Sequence, residues 1–144
     1  MDAKKLIKKL IEREDFYYNY FSLLAGKSKE DDFIKIFNEL AQEEYEHKEI
    51  LKQIYKKDMD KYDKESLLKI QESISYEKPN ENLTEIDILH EAYNSQNHGY
   101  KLYNQLYEIS PTDEIRAAFY KLSNLELAWK NRVRNFLKDK GFID

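Results

Sequence analysis

The chain has 144 residues, 36% of them charged, with three Gly, two Pro, no Cys and a formal net charge of -4. That size suits one domain with a sizeable core, and the scarcity of turn residues excludes a sandwich or barrel in favour of a few long helices. Without cysteine there are no disulfides, no thiolate nucleophile and no Cys-ligated zinc or iron–sulfur centre. Lys and Glu are interspersed with no basic stripe to neutralise phosphates, which argues against nucleic acid as a partner. The stretch Met1 to Leu6 runs into charged amphipathic sequence without the apolar segment of a signal peptide, and no apolar run long enough to span a membrane follows. A cytoplasmic protein with no membrane partner is expected.

From Lys4 to Leu24, the residues Leu6, Leu10, Tyr17, Phe21 and Leu24 recur at helical spacing, and Glu14 falls in the same row. Gly26 is expected to cap that helix, and Ser28 with Asp31 predicts a capping box for the next. The second stripe reads Phe33, Phe37, Leu40, Ala41, Glu44, His47, Leu51 and Ile54. Three residues turn 300° and rise about 4.5 Å, so Glu44 and His47 leave nearly the same face, close enough to hold one ion.

After Lys57 the pattern breaks, and about 25 residues pass before the next strong helix start, too many for a tight hairpin and too many to be structureless in a compact domain. Leu67, Leu68 and Ile70 predict a short helix around 64–73, and Pro79-Asn80 a final loop. The whole segment reads as a crossover running along the bundle. Thr84 and Asp87 open the third long helix, with Ile88, Leu89, Ala92, Gly99, Tyr103 and Leu106 inward and Gln96 in line. Ser110-Pro111-Thr112-Asp113 predicts a cap with Pro at the first helical position. The fourth long helix turns Ile115, Phe119, Leu122, Trp129, Val133 and Phe136 inward with Glu126 in line, and stops near Gly141. The fold class is therefore all-α: a single domain over 1–144, with helical hairpins at 3–57 and 84–140 and a crossover at 58–83.

The halves superpose at an offset of 82 with no gap through the helical parts. Ser28 falls on Ser110, Asp31 on Asp113, Leu24 on Leu106, Phe37 on Phe119 and Leu40 on Leu122. At that offset Glu44 falls on Glu126, Glu14 on Gln96 and His47 on Trp129. A pseudo-twofold pair of hairpins brings these mid-stripe positions to the bundle centre. Burying an unpaired carboxylate costs several kcal/mol, so three Glu, a Gln and a His there call for a cation or shared protons.

With Glu14, Tyr20-Phe21, Leu24-Ala25, Phe37, Leu40-Ala41 and the cluster Glu43-Glu44-Tyr45-Glu46-His47, repeated as Gln96, Gly99, Tyr103, Leu106, Phe119, Leu122 and Glu126, the chain resembles the ferritin-like superfamily, and within it the rubrerythrin-type domain. The resemblance implies a four-helix bundle with one long crossover between the second and third helices and a carboxylate-bridged di-iron centre. It makes Glu14 and His47 terminal ligands of one metal and Glu44 and Glu126 bridging carboxylates. Gln96 and Trp129 then occupy the terminal positions of a second metal, where Gln offers only a neutral carbonyl and Trp cannot ligate. Gly99 stands where the family pattern has room for a further Glu. Three carboxylates do not balance two divalent ions, so one ion is expected, iron by resemblance, with manganese or zinc also suited to oxygen and imidazole ligands. The implied activity is oxidoreductase chemistry on peroxide or dioxygen. With no cysteine to hold a second iron domain, it requires an external electron donor.

Other readings stand beside this one. The acids, His47 and Gln96 form a proton-sharing polar core in a bundle that serves as a non-catalytic structural or interaction module. Glu43 and Glu46 read as solvated, and His90 and His98 as surface residues. Most of the twelve Tyr read as core and rim, with Tyr17 and Tyr100 placed to donate hydrogen bonds behind Glu14 and Gln96. Met59 has no evident role. The family pattern and the many aromatic residues are compatible with a homodimer.

Overall fold

The computed structural model describes residues 3–57, 62–76 and 83–144, and among them every regular element is helical. The helices are α1 (Ala3–Lys27), α2 (Asp31–Tyr55), α3 (Lys64–Ser73), α4 (Glu85–Ile109) and α5 (Asp113–Asp139). At 25 to 27 residues, the four long helices each run about 37 to 40 Å. The short helix expected around 64–73 is α3. Met59 and the Pro79-Asn80 loop lie outside the described residues. No described helix is long and apolar enough to cross a membrane.

α1 packs along α2 and α4 along α5, the pairs meet through α2 and α5, and α3 lies against α4 and α1. Two apolar clusters fill the interior. One gathers Leu6 and Leu10 of α1, Leu51 and Ile54 of α2, Leu102 and Leu106 of α4, and Ile115, Phe119 and Leu122 of α5. The other gathers Phe21, Phe33, Phe37, Leu40, Ile88, Leu89, Val133 and Phe136. Each large apolar side chain fully buried there contributes about 1.5–3 kcal/mol. Their membership sets the helix directions: each long helix starts in one cluster and ends in the other, α1 against α2 and α4 against α5. The end of α2 and the start of α4 fall in opposite clusters. Leu67 and Ile70 of α3, followed by Ile74, join the first cluster, and Tyr62 ahead of them hydrogen-bonds Ser110 at 3.0 Å.

The helix ends correct three expectations. Gly26 lies inside α1, and among the described residues only Gly141, past the end of α5, has a positive φ, of 80°. Glu30, extended at φ -94° and ψ 133°, is the N-cap of α2 without a side-chain cap bond, so Ser28 and Asp31 form no capping box. Thr112 caps α5, accepting from the Ile115 N–H, and Pro111 precedes the helix instead of opening it. The physical reason is shared. Ser28 donates its hydroxyl to the Leu24 carbonyl at 2.9 Å and Ser110 to the Leu106 carbonyl at 2.6 Å, so both serines finish the preceding helix. Thr84 and Asp87 do form the expected capping box of α4.

The repeat extends to contacts. Phe21 stacks on Phe37 at 6.4 Å between centroids and Tyr103 on Phe119 at 6.3 Å, residue for residue at the offset of 82. Lys48 donates to Asp15 at 3.0 Å, and its counterpart Lys130 donates to Asn97 at 2.9 Å. Each half is the same helical hairpin, built with the same internal register.

Candidate metal centre

Between the two apolar clusters every long helix contributes one buried polar stretch. Arg13 and Glu14 follow Leu10 on α1, Glu43, Glu44 and His47 precede Leu51 on α2, Gln96 follows Ala92 on α4, and Glu126 follows Leu122 on α5. All of these are under 10% exposed, and Glu14 and His47 are wholly buried. The shared hairpin register places them at one level of the bundle.

Glu14, Glu44, His47 and Glu126 converge there. One ligand atom from each lies within 4.8 Å of every other. His47 Nδ1 stands 3.3 Å from Glu126 Oε1, 3.8 Å from Glu44 Oε2 and 3.9 Å from Glu14 Oε2. Among the described residues, these four atoms have no hydrogen-bond partner. A buried unsatisfied acceptor costs about 1–3 kcal/mol, and more when charged, so four aimed at one point call for a cation or for protons. Three carboxylates and an imidazole are donors suited to a divalent transition metal.

The surrounding residues fix this geometry. His47 Nε2 bonds Glu43 Oε1 at 2.9 Å, which fixes the ring so that Nδ1 is the nitrogen facing the three acids. Glu43, expected in solvent, is only 7% exposed because it lies one helical turn before His47 on the same buried face. The i, i+4 spacing was its signal in the sequence. Tyr103 donates its hydroxyl to Glu14 Oε1. Tyr17, one turn along α1 from Glu14, instead lays its ring over the Arg13 guanidinium at 5.3 Å. Gly99 leaves room for Glu126: a Cβ there would meet the Glu126 Cδ at 2.7 Å. The space that a further Glu on α4 would need is filled by this carboxylate.

Arg13, which sequence reasoning missed, is 1% exposed. Its Nη1 donates to Glu14 Oε1 at 2.9 Å and stands 3.8 Å from Glu126 Oε1, while Nη2 donates to the Ser95 carbonyl at 2.8 Å and hydroxyl at 3.2 Å. Burial works against its charge, yet Glu14 and Glu126 hold its pKa above the ordinary value. Burial would raise the pKa of Glu14, but Arg13 beside it keeps that carboxyl well below the usual carboxylate range. Glu44 has no such cation, and burial with the Glu14 charge pushes its pKa well up. Burial also raises Glu126, against His47. His47 resists the lowering effect of burial because Glu126, Glu14 and Glu43 surround it, and its pKa is raised well above 6.5.

Gln96 reaches the same buried layer, and neither its carbonyl oxygen nor its amide nitrogen has a hydrogen-bond partner among the described residues. Trp129 is half-buried and packs into the second apolar cluster, away from any ligand role. His90 and His98 are half-buried rather than surface residues. His98 joins Tyr17, Tyr76, Glu91 and Ser95 around an outer cavity of about 380 Å³.

An all-helical bundle with a central layer of buried carboxylates and an imidazole, their free atoms convergent, defines a helical protein built around a cation-competent centre. The chain belongs to the rubrerythrin family, whose model, Rubrerythrin, matches residues 5–137. No curated protein and no solved structure matches it.

Proposed function

We propose that this chain is a ferritin-like four-helix bundle, one domain with hairpins at 3–57 and 84–140 joined by a crossover at 58–83, that binds one transition-metal ion through Glu14, Glu44, His47 and Glu126. The observation that carries this reading is the convergence of four buried, unpartnered ligand atoms within 4.8 Å. The opposite placement of the end of α2 and the start of α4 supports the crossover. Iron is the first choice by family, with manganese and zinc compatible with the donors. Gln96 adjoins the site as a neutral oxygen donor, and Trp129 leaves a second ion without an imidazole.

In such a centre Glu43 orients the imidazole, Tyr103 and Arg13 fix one oxygen of Glu14 so that the other faces the ion, and the apolar clusters exclude water from both ends. Bound iron would supply one-electron chemistry toward peroxide or dioxygen, with electrons from an external donor. Metal analysis of protein purified without chelator and loaded anaerobically with Fe(II) tests the reading. One equivalent is expected; less than about a tenth of an equivalent would sink it. That low result is the outcome expected of a non-catalytic module, the reading favoured by the loss of a carboxylate at Gln96 and an imidazole at Trp129.

A further inference from the structure

We infer that the Arg13 guanidinium is a built-in cation occupying the role of a second metal ion, so that the centre is one metal ion paired with one guanidinium. The inference rests on the metal-binding reading above and concerns what sets its stoichiometry.

The carboxylates that an ion would share are already shared with Arg13. Glu14 turns Oε1 to the guanidinium at 2.9 Å and leaves Oε2 free toward His47 and Glu44. Glu126 Oε1 lies between His47 Nδ1 at 3.3 Å and Arg13 Nη1 at 3.8 Å. The guanidinium thus reaches both carboxylates: it takes the Glu14 oxygen that is not the one nearest the imidazole, and it approaches the same Glu126 oxygen that the imidazole faces. It is fastened to α4 through Ser95, the residue next to Gln96, and so to the half of the bundle whose own ligands are altered. Gly99 permits this, since any side chain there would displace the Glu126 carboxylate.

Charge gives the same answer independently. The three carboxylates of the cluster carry three negative charges, which a divalent ion and a guanidinium balance completely when His47 is neutral. A second divalent ion added beside Arg13 would leave two uncompensated positive charges in a buried layer, where each is costly. Glu43 is a fourth buried carboxylate of the layer, paired with the outer nitrogen of His47, and the count is taken over the converging ligand set alone. Arg13 has no counterpart in the other half, where Ser95 occupies the equivalent position and accepts its hydrogen bonds.

The test titrates Zn(II), which has no redox chemistry, into four proteins by calorimetry, with bound metal confirmed by elemental analysis. Wild type is expected to bind one equivalent. Gln96→Glu, which supplies the fourth carboxylate but keeps Arg13, is expected to remain at one. Gln96→Glu with Arg13→Gln is expected to bind two, and Gln96→Glu with Arg13→Lys, which keeps a cation, to stay at one. Two equivalents in Gln96→Glu alone would overturn the inference, whether or not the double variants fold. So would one equivalent in a folded Gln96→Glu/Arg13→Gln protein. Wild type binding no Zn(II) or Fe(II) would instead remove the metal-binding reading on which the inference rests. As a second measurement, Arg13→Gln is expected to lower the thermal midpoint of the metal-free protein and Arg13→Lys to lower it less; equal losses would count against a charge role.

Discussion

The two hairpins have the same skeleton and opposite chemistry. Stacked ring pairs, lysine-to-α-helix bonds and terminal serine bonds all recur at the offset of 82, with distances that differ by a few tenths of an ångström. Yet Glu14 faces Gln96, His47 faces Trp129, Glu43 faces Leu125 and Arg13 faces Ser95 across the repeat. The second hairpin retains one ligand, Glu126, seated against its own Gly99, and otherwise serves the first: Tyr103 bonds Glu14 and Ser95 holds Arg13. Packing of a hairpin depends on apolar volume and register, and these tolerate changes of polar side chain at the central layer. Ligation depends on individual atoms and does not.

The sharpest way to break the comparison is to truncate the paired residues His47 and Trp129. His47→Ala is expected to abolish metal retention through a desalting column, while Trp129→Ala keeps it and loses about 1–3 kcal/mol of stability from the half-buried ring. If both variants retain metal equally, the halves do not differ in the way described. Next in size, Glu43→Leu copies Leu125 from the other half. Removing the carboxylate that orients His47 is expected to weaken metal affinity about 10- to 100-fold, read by competition with a chelator. An unchanged affinity would show that the ring is oriented without it.

Acid should act on the first half through protons competing for the same atoms. Glu44 and Glu126 have pKa values raised from 4.5 and His47 from 6.5. In the metal-free fold these groups retain protons that the unfolded chain has released. Their contribution is therefore present below the ordinary values and is lost as pH rises through the raised ones. Metal-free protein is expected to melt at lower temperature as pH rises above 4.5, whereas metal affinity rises about tenfold per unit of pH for each proton displaced. Calorimetry in buffers of different ionisation enthalpy should report proton release, and binding with no release would contradict the assignment. The smallest effect is expected for Tyr103→Phe, which makes position 103 match Phe21. Losing one hydrogen bond to Glu14, which keeps its bond to Arg13, should cost about 1 kcal/mol in urea denaturation. A loss of several kcal/mol would mean that Tyr103, and not Arg13, is the main support of Glu14.

Much of the fold was legible because helical burial is periodic along the chain. Phe33 through Ile54 on α2 and Ile88 through Leu106 on α4 are buried as their stripes predict. The departures cluster at helix ends, where Ser28 and Ser110 had two available partners and spacing could not choose between them. Trp129 sat correctly on its stripe but only half inside, since an indole at the level of the polar layer has to lean toward the apolar cluster.

The sequence by itself determined the four long helices, the repeat and the convergence of Glu14, Glu44, His47 and Glu126, because each follows from spacing within a helix or from a constant offset between helices. Only the tertiary structure decided what compensates them. Arg13 precedes Glu14 by one residue, which on an isolated helix turns it about 100° away, toward a face that reads as solvent. Side-chain contacts from α4 close that face: Ser95, 82 residues away, holds the guanidinium, and Tyr103, 89 residues away, reaches Glu14. Those contacts depend on how far each helix is rotated about its own axis, a quantity fixed by the whole set of interhelical contacts and by no single stretch of the chain.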